Sequence, residues 1–351
     1  MPLPSSGPRS TLTSLAVIAA ICAGATGAFA YTAGWLSPDR LTPTKLVDAL
    51  APPTGPVPGY RRNHAKGICF TGVFEANGNG TALSRARAFE TGRHPALGRF
   101  NLGTPNPGAA DATVRVRGLG LQITAADGAV WRTAMINAPV FPVSNPEAFY
   151  ALLRVPASKE PNAMAGFVAA HPEFASFGAW AKSPDWTASY AQEPYNSLNA
   201  FRFTNASGAE QAVRWSFRPH AQAERITPED LAKRGEAYLE QEITERVAAA
   251  PQRWSLILTV AEPGDPTADP SRAWPEGRRT IEAGTLVVER IEPEADGPCR
   301  DINFDPTILP DGIRVSDDPF PAARSAAYAK SYDLRTAEAK DYPKRSSEAQ
   351  R

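Results

Sequence analysis

From residue 64 onward, short stretches of alternating apolar and polar residues are broken by turn residues, the signature of β-strands rather than long helices. Gly67-Ile68-Cys69-Phe70-Thr71-Gly72-Val73-Phe74 is β-rich, and the cluster Asn77-Gly78-Asn79-Gly80 ends it. Gly120–Ile123 and Val130–Thr133 flank Asp127-Gly128, a strong hairpin signal. Phe201–Phe203 and Val213–Phe217 alternate around Asn205–Gly208 and predict a second hairpin, and further strands are expected at Trp254–Val260 and Thr285–Ile291. Before His64, residues 37–63 form a Pro-rich lead-in with a short amphipathic helix around 41–50.

Two longer helices stand out. One starts at Thr227 as N-cap, with Pro228 at the first helical position and Asp230 in the first turn. Its apolar positions Leu231, Tyr238, Leu239, Ile243 and Val247 predict one continuous buried stripe. The other lies between Pro319 and Lys340 and carries Arg324, Tyr328 and Arg335. At about 100° per residue, Tyr328 falls roughly 40° and Arg335 roughly 20° from Arg324, so the three share one narrow face. Strands without regularly interleaved helices predict an α+β protein built on an antiparallel barrel, not a doubly wound sheet.

The N-terminus follows a different pattern. Arg9 precedes an almost uncharged run from Leu12 to Ala30 that ends in Ala28-Phe29-Ala30, the form of an export signal over residues 1–30. The competing reading is an uncleaved membrane anchor, since the run extended to Leu36 approaches the span of a bilayer. Either reading places the domain of residues 31–351 outside the cytoplasm, periplasmic or in an equivalent compartment, and a disordered tail is expected from about 341. Composition adds little to this: 42% of the 351 residues are hydrophobic and 21% charged, enough for a sizeable core. Proline, with 34 residues, is frequent enough to enforce short elements and stiff loops. Lys+Arg and Asp+Glu both total 37, so no basic excess supports nucleic-acid binding. Of the three cysteines, Cys22 lies in the export segment. Cys69 and Cys299 can be buried thiols or one disulfide, and free thiols are the expectation.

Candidate chemistry is sparse. The four histidines are His64, His94, His171 and His220, and no HExxH, Gly-x-Ser-x-Gly or phosphate-binding glycine loop occurs. His94 and His171 precede prolines and His220 follows one, which predicts loop positions without a chemical role. His64 differs because Arg61-Arg62-Asn63-His64-Ala65-Lys66-Gly67 runs directly into a strand.

His-Ala-Lys-Gly with an arginine three residues upstream resembles the distal-histidine motif of haem catalases. Other pieces follow in the family's order: Arg99-Phe100, then Ala110-Asp111 with Arg117-Gly118, then Asn137-Ala138-Pro139-Val140-Phe141, then Asn145-Pro146 through Phe149. Phe304-Asp305-Pro306 and Pro310-Asp311-Gly312-Ile313 resemble the stretch before the proximal helix, and Arg324-x-x-x-Tyr328 with Arg335 resembles that helix. The resemblance spans roughly residues 40–340 and is to the small, catalase-related haem peroxidases. It implies an eight-stranded antiparallel β-barrel with surrounding helices and one haem b. Tyr328 would be the axial ligand to the haem iron, His64 the catalytic acid–base group, and Arg61, Arg99 and Arg335 the partners of the haem propionates. Phe149 would pack over the distal haem face. A free phenol keeps its proton to about pH 10, and Arg324, one turn away, would hold Tyr328 ionised.

Departures from the family refine this. Large catalases carry a serine after Arg-Phe that bonds the back of the distal histidine; here Asn101 stands there. They also carry a distal asparagine that orients peroxide; its counterpart is Ile136, with Asn137 next door on the opposite strand face. Asn63 replaces the usual valine. These differences imply a peroxidase that reduces organic hydroperoxides and hydrogen peroxide with an electron donor, with low catalase activity, as a monomer or small homo-oligomer. Two alternatives stay open: rearrangement of fatty-acid hydroperoxides to allene oxides, and a non-enzymatic haem carrier or peroxide sensor.

Overall fold

A computed structural model describes residues 8–37, 40–52, 54–184, 186–295 and 297–342. They fall into two compact units divided between Thr42 and Pro43. The first is built on helix α1 (Pro8–Thr32), whose segment Thr11–Thr32 is long and apolar enough to cross a membrane by length and composition, a test that signal sequences also pass.

The second unit opens with α2 (Pro43–Ala49), followed by β1 (Gly67–Ala76), β2 (Gly92–Leu102), β3 (Arg117–Thr124) and β4 (Val130–Ile136). Three helices come next: α3 (Pro146–Arg154), α4 (Ala163–Ala170) and α5 (Phe174–Lys182). Short strands β5 (Trp186–Thr187), β6 (Tyr195–Asn196) and β7 (Phe201–Thr204) lead to β8 (Glu210–Pro219) and β9 (Arg225–Ile226). The chain ends with α6 (Pro228–Ala232), α7 (Tyr238–Ala249), β10 (Gln252–Val260), β11 (Thr280–Glu292), β12 (Ile313–Val315) and α8 (Phe320–Ala337).

Eight strands close a barrel in the order β1, β2, β3, β4, β6, β8, β10, β11 and back to β1, and every pairing is antiparallel. This is the expected architecture. Strand alternation fills the interior: on β10, Trp254, Leu256, Leu258 and Val260 are buried while the residues between them are not. Phe100 stacks on Tyr190 at 5.4 Å and meets Trp254 at 5.7 Å, part of one core that also takes Phe70, Phe74, Trp131 and Trp215. Burial of aromatic surface of this kind stabilises the barrel.

Three expectations are corrected. The helix predicted from Thr227 through Val247 is two, because the chain turns at Gly235 with φ 105° between α6 and α7. The start is as expected, with Thr227 Oγ1 accepting the Asp230 amide at 3.1 Å. His94 is not in a loop but inside β2, buried, with Nε2 3.2 Å from the Glu90 carbonyl. Pro95 is tolerated there because pairing with β3 begins only at Ala96, so at this end β2 has a single neighbouring strand. Cys69 and Cys299 are joined in a disulfide with a Cα–Cα distance of 5.4 Å, not free thiols. Their separation of 230 residues hid a pairing that the barrel brings about by setting the 299 turn against β1. Of the expected tail, Asp341 closes a short turn and Tyr342 lies 5.0 Å from the Arg300 guanidinium; residues 343–351 lie outside the described residues.

Candidate active site

The site grows from the point where the chain enters β1. His64 has φ 55°, in the left-handed region that few residues other than glycine adopt. Support comes from both sides of the peptide. Its amide donates to Asn63 Oδ1 at 2.9 Å, and its carbonyl accepts from Arg99 at 2.7 Å. Asn63 thus has a local reason to stand where the resemblance led one to expect valine. Arg99 also donates to the Ala65 carbonyl at 3.0 Å. Antiparallel pairing of β1 with β2 places Cys69 opposite Arg99 and Gly67 opposite Asn101. Gly67 lets Arg99 in: a Cβ there would sit 2.7 Å from the guanidinium carbon.

Asn101 takes the place of the family's serine and keeps its contact. Its Oδ1 lies 2.6 Å from His64 Nδ1, while its Nδ2 donates to the Arg99 carbonyl at 3.2 Å. With the amide so oriented, Nδ1 carries the hydrogen and Nε2 is left as the free base. Gly118, opposite Asn101 on β3, makes room, since a Cβ there would lie 2.2 Å from Asn101 Oδ1. The neighbouring Lys66 is pinned by Asp111 at 2.7 Å, and Asp111 also accepts the Leu239 amide at 2.6 Å. The His-Ala-Lys-Gly, Ala-Asp and Arg-Gly pieces are therefore parts of one contact set. Burial pushes the His64 imidazole down to about 4. The hydrogen bond with Asn101 works the other way, and the charges of Arg99, Arg324 and Arg61 add to the depression. Arg324 lies on α8, so the helix carrying Tyr328 comes within electrostatic range of His64.

Two aspartates fix α8. Asp318 accepts the Phe320 amide at 2.8 Å, and Asp305 accepts from Ser325 at 2.6 Å. The shared face of Arg324 and Tyr328 is observed: Arg324 donates to the Tyr328 hydroxyl oxygen at 3.2 Å, to the Ala134 carbonyl at 2.7 Å and to Asn199 Oδ1 at 2.8 Å. Asn199 is in turn held by Asp318 at 2.8 Å, a link with no short sequence signature.

Arg335 and Arg61 meet away from that pair. Arg335 donates to the Arg300 carbonyl at 2.6 Å. Arg61 donates to the carbonyls of Cys299 at 3.0 Å, Arg300 at 3.2 Å and Ile302 at 3.3 Å. Glu294 joins them: it pairs with Arg61, and with Arg99 through Nε at 2.9 Å and a second nitrogen at 2.6 Å. Burial would raise its carboxyl, but Arg99, Arg61 and Arg335 outweigh burial and hold it below the usual range. Burial draws the Arg61 guanidinium down to about 9 against the pull of Glu294, with Arg99 and Arg335 adding to the depression. Arg61, Arg99 and Arg335 thus gather around the Glu294 carboxylate, and the Asp301 carboxylate in reach of two of them is paired with Arg300, which leaves positive charge in excess. Glu294 escaped sequence reasoning because it stands in a turn rich in acids and prolines, with nothing to set it apart from Glu292.

Phe149 lies in an aromatic cluster with Phe141 at 5.2 Å and Phe320 at 6.5 Å, which ties α3 to the first turn of α8. Ile136 ends β4 opposite Gly118 and Asn196. Asn137 is consumed by the backbone: its Oδ1 accepts the Arg117 amide at 3.0 Å and its Nδ2 donates to the Arg115 carbonyl at 3.3 Å.

The sequence pattern of the catalase family matches residues 38–342. A catalase-related peroxidase from Synechococcus elongatus is 35% identical over 302 residues, covering 84% of this chain and 89% of that protein. One from Mycolicibacterium paratuberculosis is 32% identical over 299 residues, covering 84% and 95%. Among solved structures, catalase A from Saccharomyces cerevisiae superposes with a TM-score of 0.70 at 20% identity, over 79% of this chain and 61% of that one.

Proposed function

The chain belongs to the catalase family and is an oxidoreductase acting on peroxide, and from this premise we propose that it is a haem b peroxidase reducing organic hydroperoxides and hydrogen peroxide with an external electron donor. The observation that carries the reading is the 2.6 Å contact of His64 Nδ1 with Asn101, which leaves Nε2 as a base in a neutral ring at physiological pH.

A haem, the cofactor implied by the family, fits the residues present. The carboxylates of protoporphyrin would find partners in the excess positive charge of Arg61, Arg99 and Arg335 around Glu294. Tyr328 offers a phenol oxygen already accepting a hydrogen bond from Arg324, suited to ligate ferric iron as a phenolate. When bound, haem would supply the redox-active iron at which the oxygen–oxygen bond is broken. Every other part of the chemistry falls to the chain. His64 Nε2 takes the proton of the incoming peroxide and returns it to the leaving oxygen. Asn101 keeps the opposite ring nitrogen protonated throughout, and Arg324 holds positive charge beside Tyr328. Asn137 is spent on the β3 backbone and Ile136 has no polar group, which favours donor oxidation over the capture of a second peroxide.

Export through the segment of α1 fits the Cys69–Cys299 disulfide, because oxidising compartments preserve such bonds. N-terminal sequencing of native protein beginning near Tyr31 would establish cleavage; an intact terminus in the membrane fraction would establish an anchor. The activity is tested by steady-state assays of haem-loaded protein with a donor dye and a series of peroxides. Lipid hydroperoxide consumed without donor would replace this reading with a rearrangement, and haem binding without turnover would replace it with a carrier.

A further inference from the structure

We propose that Glu294 is a positioning residue for His64, acting through Arg99, and that the Cys69–Cys299 disulfide fixes the turn from which Glu294 reaches in. The inference rests on the haem-peroxidase reading above and adds to it a residue and a cross-link outside the motifs of the resemblance.

The contacts form one chain of direct bonds. Glu294 grips Arg99 with both carboxylate oxygens, at 2.9 and 2.6 Å. The same guanidinium reaches the His64 carbonyl at 2.7 Å and the Ala65 carbonyl at 3.0 Å. A fork gripped on one edge by a carboxylate presents its remaining hydrogens in a fixed direction. Here that direction is the backbone of the residue with φ 55°, a conformation that persists only when its surroundings hold it. Arg99 is only 1% exposed, so a charge lost from Glu294 weakens the grip on one edge of its fork without bulk water to take over.

The turn carrying Glu294 needs an anchor of its own. Among the described residues it makes no strand pairing beyond Glu292, where β11 ends. Cys299 supplies the anchor, bonded to Cys69 on β1, the residue that the ladder pairs with Arg99 itself. Cys299 is fully buried, and its carbonyl accepts from Arg61. The disulfide thus holds the turn against the strand pair whose arginine Glu294 orients.

The test uses haem-loaded wild-type, Glu294→Gln, Glu294→Asp and the double variant Cys69→Ser/Cys299→Ser. Cyanide association reads the distal base without turnover, because hydrogen cyanide must give up its proton to bind ferric haem. Exchange of the Ala65 amide, which donates to Thr104 at 2.8 Å, is followed in haem-free protein as a direct readout of the His64 backbone. Expected for Glu294→Gln are cyanide association slowed about tenfold, faster Ala65 exchange, and unchanged haem content and spectrum. Glu294→Asp should recover part of the rate, and the double variant should show the same faster exchange. Cyanide association and Ala65 exchange within twofold of wild type in Glu294→Gln would overturn the proposal, whether or not the double variant folds. Failure of wild-type protein to bind haem would instead overturn the reading on which the proposal stands.

Discussion

His64 Nδ1 and Asn101 Oδ1 lie 2.6 Å apart, so one amide on β2 decides which nitrogen of the imidazole is basic. The bond replaces the serine contact expected in the family with a longer side chain, and Gly118 accommodates the difference. Asn101→Ala should release the ring, let both tautomers populate, and lower the rate of peroxide consumption about tenfold, the low end for impaired proton transfer. Asn101→Ser should retain most of the rate. Stopped-flow mixing with an organic hydroperoxide at fixed haem content gives the comparison; an Asn101→Ala rate equal to wild type would show that the ring is held by something else.

The depressed His64 pKa sets a pH dependence whose sign can be worked out. In the proposed role of His64 the base form is needed, so the peroxide reaction should stay level from neutral pH to about 5 and fall as pH drops through about 4. An unperturbed histidine would lose half its rate near 6.5. Folding stability should move in the same direction in haem-free protein. Between about 4 and 6.5 the unfolded chain binds the proton that the folded chain refuses, so stability rises with pH across that window. His64→Ala should flatten this part of the stability curve and slow the peroxide reaction by about 100-fold or more. Denaturant titrations and rate profiles at matched pH check both, and a rate midpoint near 6.5 would contradict the half-buried, neutral imidazole.

Much of this was readable along the chain, and what was not has physical causes. The Asp127-Gly128 and Asn205–Gly208 hairpins carry their own turn chemistry, and the pairings Thr124↔Val130 and Thr204↔Glu210 follow from it. The face shared by Arg324 and Tyr328 needs only helical geometry, and their contact is present. Closure of the barrel by β8 on β10 joins segments without any local signal, and the same is true of Cys69 with Cys299. His94 read as a loop residue because Pro95 argues against a strand, yet the alternation of β2 overrides one proline. Glu294 illustrates the general limit: a carboxylate in an acidic turn acquires meaning only when folding sets buried arginines around it.

Tyr328→Phe removes the hydroxyl oxygen that accepts from Arg324 and that is proposed to bind iron. The fold should survive, because the ring keeps its packing and Arg324 keeps its bonds to Ala134 and Asn199. Haem retention should fall at least tenfold, read as transfer to a haem-free acceptor protein, and the tyrosinate-type ferric spectrum should vanish. An unchanged spectrum in this variant would place the axial ligand elsewhere. Arg324→Ala should weaken the same spectrum without abolishing haem uptake, since it removes the charge beside the oxygen but not the oxygen.

The proposed balance between peroxidase and catalase turnover rests on what stands beside Ile136. Releasing oxygen from hydrogen peroxide requires a second peroxide to be held and oriented by polar groups, whereas donor oxidation does not. Asn137 is the nearest amide in sequence, but both ends of its side chain are bonded to backbone at the entry to β3, at 3.0 Å to Arg117 and 3.3 Å to Arg115. Turning it toward a substrate would leave the Arg117 amide without its side-chain acceptor, in a buried setting where such a loss costs about 1–3 kcal/mol. Wild-type protein should therefore oxidise donor with organic hydroperoxides yet evolve little oxygen from hydrogen peroxide. Ile136→Asn should raise oxygen evolution several-fold, while Asn137→Ala should lower stability more than it changes either activity. An oxygen electrode and a donor dye read both reactions on one sample. Vigorous oxygen evolution by wild type, lost in Asn137→Ala, would mean that this amide does leave the backbone to hold peroxide.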